Sequence, residues 1–176
     1  MSPHSPSITH ENENQTDNKT RVAELRFEHR RTPIGIATPE PRLSWFVKSE
    51  KENWRQSACQ FRKLSPKGEI SATSKKRLVD ESILQPWPFK PLKSREGCAV
   101  QVRVWAQDGT PSPWSAPAYV EAALLKPEDW KARFITPALN KGEAQKQPLP
   151  ILRREFQVQP DLTHARLHIT ALGVYE

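Results

Sequence analysis

Val100, Val102 and Val104 alternate with Gln101, Arg103 and Trp105, the period-two pattern of a strand with one buried face. Asp108-Gly109 breaks this run, because glycine supplies the positive φ of a tight reversal. Pro111 and Pro113 bar a helix beyond it, and extended chain resumes over residues 118–122. The pattern predicts a strand, a turn and a returning strand. Such a hairpin cannot bury its valines alone, so it demands further strands.

Those strands are legible upstream. Leu25 and Phe27 alternate with Arg26 and Glu28, and Leu43, Trp45 and Val47 alternate with Ser44 and Phe46. Between them, residues 31–41 hold three prolines and a glycine, which predicts a connection without regular pairing. Residues 56–64 read as a third strand, turned by Pro66-Lys67-Gly68. Residues 70–79 read as one or two edge strands whose lysines discourage edge pairing. Residues 84–92 form a proline-stiffened crossing anchored by Trp87 and Phe89. About seven strands over about 100 residues predict an all-β chain with an immunoglobulin or fibronectin III-like β-sandwich at 21–125. Leu43, Trp45, Phe61, Val100, Val102 and Val104 are its predicted core.

The pattern changes after Leu125. Pro127, Glu128 and Asp129 suit a helix start, here one turn that docks Trp130. Phe134-Ile135, residues 152–158 and residues 166–174 read as extended, around a polar loop at 140–150. Three strands over some fifty residues make a poor independent core, so 126–176 is predicted to be the truncated start of a second β-domain. Residues 1–20 have neither an apolar core nor a basic start, and predict a disordered polar tail rather than a secretory signal. No apolar run approaches the ~20 residues of a membrane span. A cytoplasmic chain with no membrane partner is expected.

Composition adds little that conflicts. Seventeen prolines against six glycines suit short strands with rigid connections. The net charge of +7 is distributed as −2 over residues 1–20, +7 over 21–125 and +2 over 126–176. Nucleic acid is the partner to test against that balance, but the basic residues are scattered and Lys75-Lys76-Arg77 is their longest run. A solvated surface, not a nucleic-acid face, is expected. Cys59 and Cys98 have inward parity, which fits either an inter-strand disulfide or two buried thiols. Without a signal peptide the thiol reading is the simpler one. A CxxC pattern is absent, and zinc is not expected.

PRLSW (41–45), QSACQF (56–61), VRVWAQDGTPSPWS (102–115) and LLKPEDWKARFI (124–135) together resemble the N-terminal region of α-L-rhamnosidases. LRREFQV (152–158) and ARLHITALGVYE (165–176) continue the resemblance in order, so it runs from about Arg21 to the end. The stretch LQPWPFKPLKSRE (84–96) is similar to the fungal branch. The resemblance implies a fibronectin-like sandwich followed by a jelly-roll-like accessory domain, of which residues 126–176 would be an incomplete part. It also implies a catalytic (α/α)-barrel farther downstream, whose acids hydrolyse terminal α-L-rhamnose with inversion. Its partners would then be the downstream domains, with rhamnose-containing glycosides reached only through the full-length enzyme. A stand-alone fibronectin-type protein-interaction module is the alternative.

The residues agree that catalytic chemistry is missing. Glycoside hydrolysis needs two carboxyls facing each other about 5 to 10 Å apart. Asp80-Glu81 and Glu128-Asp129 fit turns and a helix start instead. His164 and His168 have metal-pair spacing only on a helix, and their segment reads as a strand. Serine-nucleophile, phosphate-loop and dinucleotide fingerprints are absent, so no catalytic residue and no cofactor is assigned. Trp105 points away from the valine face and, with Trp114, is the candidate carbohydrate or domain-contact surface. An outward Trp105 can stack on a sugar, or be covered by Trp114, by the Arg103 stem or by a neighbouring domain. The covered reading is preferred, since a second domain must rest somewhere.

Overall fold

The computed structural model describes residues 20–65, 67–135, 152–162 and 165–171. The central pair is β4 (Gln56–Leu64) and β7 (Gly97–Ala106), antiparallel, with Cys59 opposite Val104 and Phe61 opposite Val102. Around it stand β1 (Arg21–Phe27), β2 (Ile34–Ile36), β3 (Leu43–Lys48), β5 (Ile70–Thr73), β6 (Arg77–Leu78) and β8 (Ala118–Ala122). The larger sheet has six strands in the order β2-β8-β7-β4-β5, with β6 also pairing β4. β1 and β3 form the smaller sheet.

That smaller sheet has a third, irregular member. Leu43 and Gln85 exchange backbone hydrogen bonds of 2.8 and 2.7 Å, and the Trp45 N–H donates to the Ser82 carbonyl at 2.9 Å. Residues 82–85 therefore protect the free side of β3, a role that their composition does not announce.

The two sheets close on one another through alternating side chains. Phe27, Leu43 and Trp45 from the smaller sheet meet Cys59, Phe61, Val100, Val102, Val104 and Val120 from the larger. Trp45 and Phe61 pack edge to face with ring centroids 5.4 Å apart, a geometry the aromatic quadrupole favours. Trp87 and Leu92 from the crossing segment join this core, with Trp87 against Phe27 and Phe89. The Trp45 indole N–H donates to Gln56 Oε1 at 2.9 Å. The same amide donates through Nε2 to the Val79 and Glu81 carbonyls at 3.0 and 3.2 Å. One glutamine thus satisfies a buried indole and ties both sheets to the segment between them.

Three expectations are corrected. Residues 31–41 do pair: Ile34–Ile36 forms β2, a parallel edge strand on β8. Its prolines flank the three-residue strand instead of interrupting it, and the Pro33 carbonyl, which proline retains, accepts the Glu121 N–H at 3.0 Å. Thr20 is not part of a free tail, being buried with its hydroxyl 2.8 Å from that of Ser49. Beyond the sandwich, Phe134-Ile135 and the described parts of 152–158 and 166–174 are not strands. Alternation supplies a face, but a strand exists only by pairing its backbone, and no ladder joins these described segments. Leu167 and Ile169 are accordingly 78% and 56% exposed. Residues 1–19, the loop at 140–150 and His164 lie outside the described residues.

The chain divides into two compact units, Met1–Lys131 and Ala132–Glu176. The first closes on a single 3-10 turn, Pro127–Asp129. Its Asp129 carboxylate accepts from the Ser94 hydroxyl and from the Lys126 N–H, and the Leu125 N–H donates to Ser94 Oγ at 3.0 Å.

The core predicts a graded response to substitution. Trp45→Ala is expected to cost about 3–5 kcal/mol through the cavity it leaves. Gln56→Ala is expected to cost about 1–3 kcal/mol, because the buried Trp45 indole N–H loses its acceptor and the Val79 and Glu81 carbonyls lose their donor. Urea unfolding measures both. An unchanged midpoint for Gln56→Ala would remove the glutamine bridge from the account.

Candidate functional site: a tryptophan and cation ladder

The outer face of the β4–β7 pair is where the two candidate tryptophans meet. Register places Trp105 opposite Ala58, Arg103 opposite Gln60 and Gln101 opposite Arg62. Trp114 comes from the return segment, which the Gly109 turn (φ 82°) folds back along β7. That segment cannot form a regular ladder through Pro111 and Pro113, so serines replace the missing pairing. The Ser112 and Ser115 N–H groups donate to the Val104 and Val102 carbonyls at 2.8 Å. Their hydroxyls in turn accept from the Val104 and Val102 N–H groups at 3.1 Å.

On this frame the side chains stack. Lys76 Nζ lies 4.3 Å and the Arg103 guanidinium 4.8 Å from the Trp105 ring centre. Arg103 and Arg62 lie 4.7 and 4.5 Å from the ring centre of Trp114. All of these separations suit attraction between a cation and an aromatic quadrupole. Each guanidinium is held in plane by a glutamine carbonyl, not by a carboxylate: Arg103 donates to Gln60 Oε1 at 2.8 and 3.1 Å, and Arg62 to Gln101 Oε1 at 2.7 Å. Burial, with the nearby Arg62 charge, pushes the Arg103 pKa below its ordinary value.

Trp105 does point away from the valines, yet it is only 8% exposed. Its ring is taken up by Lys76 and Arg103, while Trp114 is half-buried beside it. Arg62 and Lys76 read in the sequence as ordinary surface charges, whereas the Arg103 stem and Trp114 are legible as covers for Trp105.

The remaining candidates stay apart. Asp129 is engaged by Ser94 and Lys126, while Asp80 and Glu81 are exposed neighbours on one loop. Among the described residues no three His, Cys, Asp or Glu side chains gather as a metal site. Cys59 and Cys98 are free and buried. Cys59 faces Val104, six residues along β7 from Cys98, or about 20 Å at strand rise. A disulfide needs Cα atoms within about 7 Å, so this fold cannot join them. Burial pushes both thiols up to about 11.

The architecture defines an immunoglobulin-type β-sandwich module, with its outer face closed by stacked cations. Residues 22–126 match the family model of the Rha78A-like, N-terminal immunoglobulin domain, and the chain belongs to that family. The α-L-rhamnosidase of Streptomyces avermitilis is 34% identical over 178 residues, covering 88% of this chain and 17% of the relative. One from Formosa agariphila is 32% identical over 157 residues, covering 83% and 17%. Among solved structures, the native α-L-rhamnosidase of Aspergillus terreus superposes with a TM-score of 0.58 at 34% identity, over 64% of this chain and 13% of that one. The Streptomyces avermitilis α-L-rhamnosidase complexed with L-rhamnose gives 0.60 at 37%, over 64% and 11%. The chain thus corresponds to the N-terminal part of α-L-rhamnosidases and spans 17% of the length of these curated relatives.

Two outcomes follow. Trp105→Ala is expected to cost about 3 kcal/mol, and Arg103→Lys about 1 kcal/mol through loss of planar stacking and the paired bond to Gln60. Equilibrium denaturation checks both, and a wild-type midpoint for each would reduce the ladder to decoration. For the cysteines, a thiol reagent at pH 8 should label the native chain slowly. Denaturation without reductant should then release two reactive thiols, the chain's full cysteine content.

Proposed function

We propose that this chain is the non-catalytic N-terminal portion of an α-L-rhamnosidase, a glycoside hydrolase that removes terminal α-L-rhamnose from glycosides. The family match over 22–126 carries the reading, together with relatives aligned over 88% of this chain but 17% of their own length. Hydrolysis belongs to parts of the full-length enzyme beyond this correspondence. The aligned region extends past residue 126, which supports reading residues 126–176 as the opening of a following, jelly-roll-like β-domain. The ladder face, with Trp105 already covered, suits contact with a further domain of the full-length enzyme better than stacking on a sugar. A fungal source is part of the same reading, supported by residues 84–96 and the Aspergillus terreus likeness, although bacterial relatives match at similar identity. Two unpaired, buried cysteines favour a reducing, cytoplasmic setting. No helix among the described residues is long and apolar enough to cross a membrane.

The test is to detect the native gene product with an antibody against residues 20–131. A product several times longer than 176 residues, which co-purifies with release of chromophore from an α-L-rhamnoside, is expected. The isolated 176-residue chain should release none. A native product no longer than this chain, without activity, would favour the stand-alone interaction module instead.

A further inference from the structure

At the end of the sandwich where Gln56 pairs with Ala106 and Lys51 meets Asp108, an open cleft of about 400 Å³ lies against β3 and the start of β4. This size falls within the range of small-molecule sites. Its floor is the Trp45–Gln56 unit already described, in which the indole N–H and both amide N–H groups are committed. The floor is therefore fixed in shape and offers a ligand no further donor.

The rim is the opposite. Trp54, Arg55, Asp80 and Ser82 line the cleft, and none of their side chains has a hydrogen-bond or ion-pair partner among the described residues. Elsewhere Arg42–Glu28, Lys63–Glu96 and Lys51–Asp108 are paired at 2.6 to 3.2 Å. Here an arginine and an aspartate border one cleft without meeting each other. Phe46, 54% exposed, and the half-buried Trp54 supply the apolar wall.

The lining specifies the ligand's chemistry. Opposite charges cancel, so an anion would be repelled by Asp80 and a cation by Arg55. A hydroxyl both donates and accepts, and vicinal hydroxyls can serve a guanidinium and a carboxylate together. An apolar C–H face suits an indole wall. We propose that the cleft formed by Trp54, Arg55, Asp80 and Ser82 binds a neutral pyranose ring, such as an exposed sugar residue of a glycoside. Only one carboxylate side chain lines it, so the site holds a sugar without hydrolysing it. The assignment rests on this lining and not on the rhamnosidase reading, and the two fail separately.

The test is an amide and indole NMR titration of the whole chain with methyl α-L-rhamnoside, methyl α-D-mannoside and D-glucuronate. Saturable shifts of the Trp54 indole and of the amides of residues 54–56 and 80–82 are expected for a neutral glycoside. A Kd of about 1–10 mM is the scale for one ring. Trp54→Ala and Asp80→Asn should each weaken binding at least about tenfold, while leaving the spectrum otherwise that of the folded chain. Asp80→Asn alters an exposed side chain with no partner to lose, so it separates binding from folding. No saturable shift with either neutral glycoside, unchanged affinity in Asp80→Asn, or tighter binding of D-glucuronate would each overturn the proposal.

Discussion

The antiparallel pairing of β4 with β7 is the constraint on which the rest depends, because both faces of that pair are covered. A β-sandwich ordinarily buries one face of each sheet and leaves the other to water. Here the inward face carries Cys59, Phe61, Val100, Val102 and Val104, while the outward face carries Trp105, Arg103, Arg62 and their glutamine partners. A one-residue slip would exchange these sets, placing guanidinium groups in the core and valines under lysine. Register is therefore specified twice, once by hydrophobic burial and once by stacking geometry. The serines of the return segment extend this specification by capping the same β7 carbonyls and N–H groups that Pro113 leaves without a regular partner.

How much of this was legible depends on where each element finds its partners. The alternation of Val100, Val102 and Val104, or of Leu43 and Trp45, records burial directly, and the fold class follows from it. β2 was missed because a three-residue parallel strand is defined by the backbone of β8 and not by any pattern in Ile34–Ile36. Residues 82–85 escaped for the same reason, since their pairing to β3 is made by backbone groups that every residue has. In residues 152–171 the error ran the other way. Alternation was present, yet no ladder formed among the described residues. Pattern reports a face that could be buried, not the partner that would bury it.

The outer face shows a second kind of illegibility. Arginine and lysine count as surface residues in any reading of composition, and only Arg103 carries a sign, in its parity with Trp105, that its stem covers a ring. Lys76 and Arg103 shield Trp105, while Arg103 and Arg62 lie over Trp114. The cost of bringing charge onto this face is limited because each guanidinium keeps a neutral amide acceptor and one edge toward water. The glycosidase relationship was legible only as ordered short motifs, and none of them marks the cleft at Trp54, whose residues come from three separated stretches of chain.

The separation of Cys59 and Cys98 along one sheet has a kinetic consequence. Since the native fold holds them about 20 Å apart, a bond between them can form only before the sheet exists or after it is lost. A sandwich dominated by distant strand pairings folds over milliseconds to seconds, whereas disulfide formation takes seconds to hours. Folding thus normally outruns oxidation, and completed β4–β7 pairing removes both sulfurs from the competition. Any delay at that step, by substitution or crowded synthesis, would hand an oxidant the chance to lock the chain into a loop from which no native register can be reached.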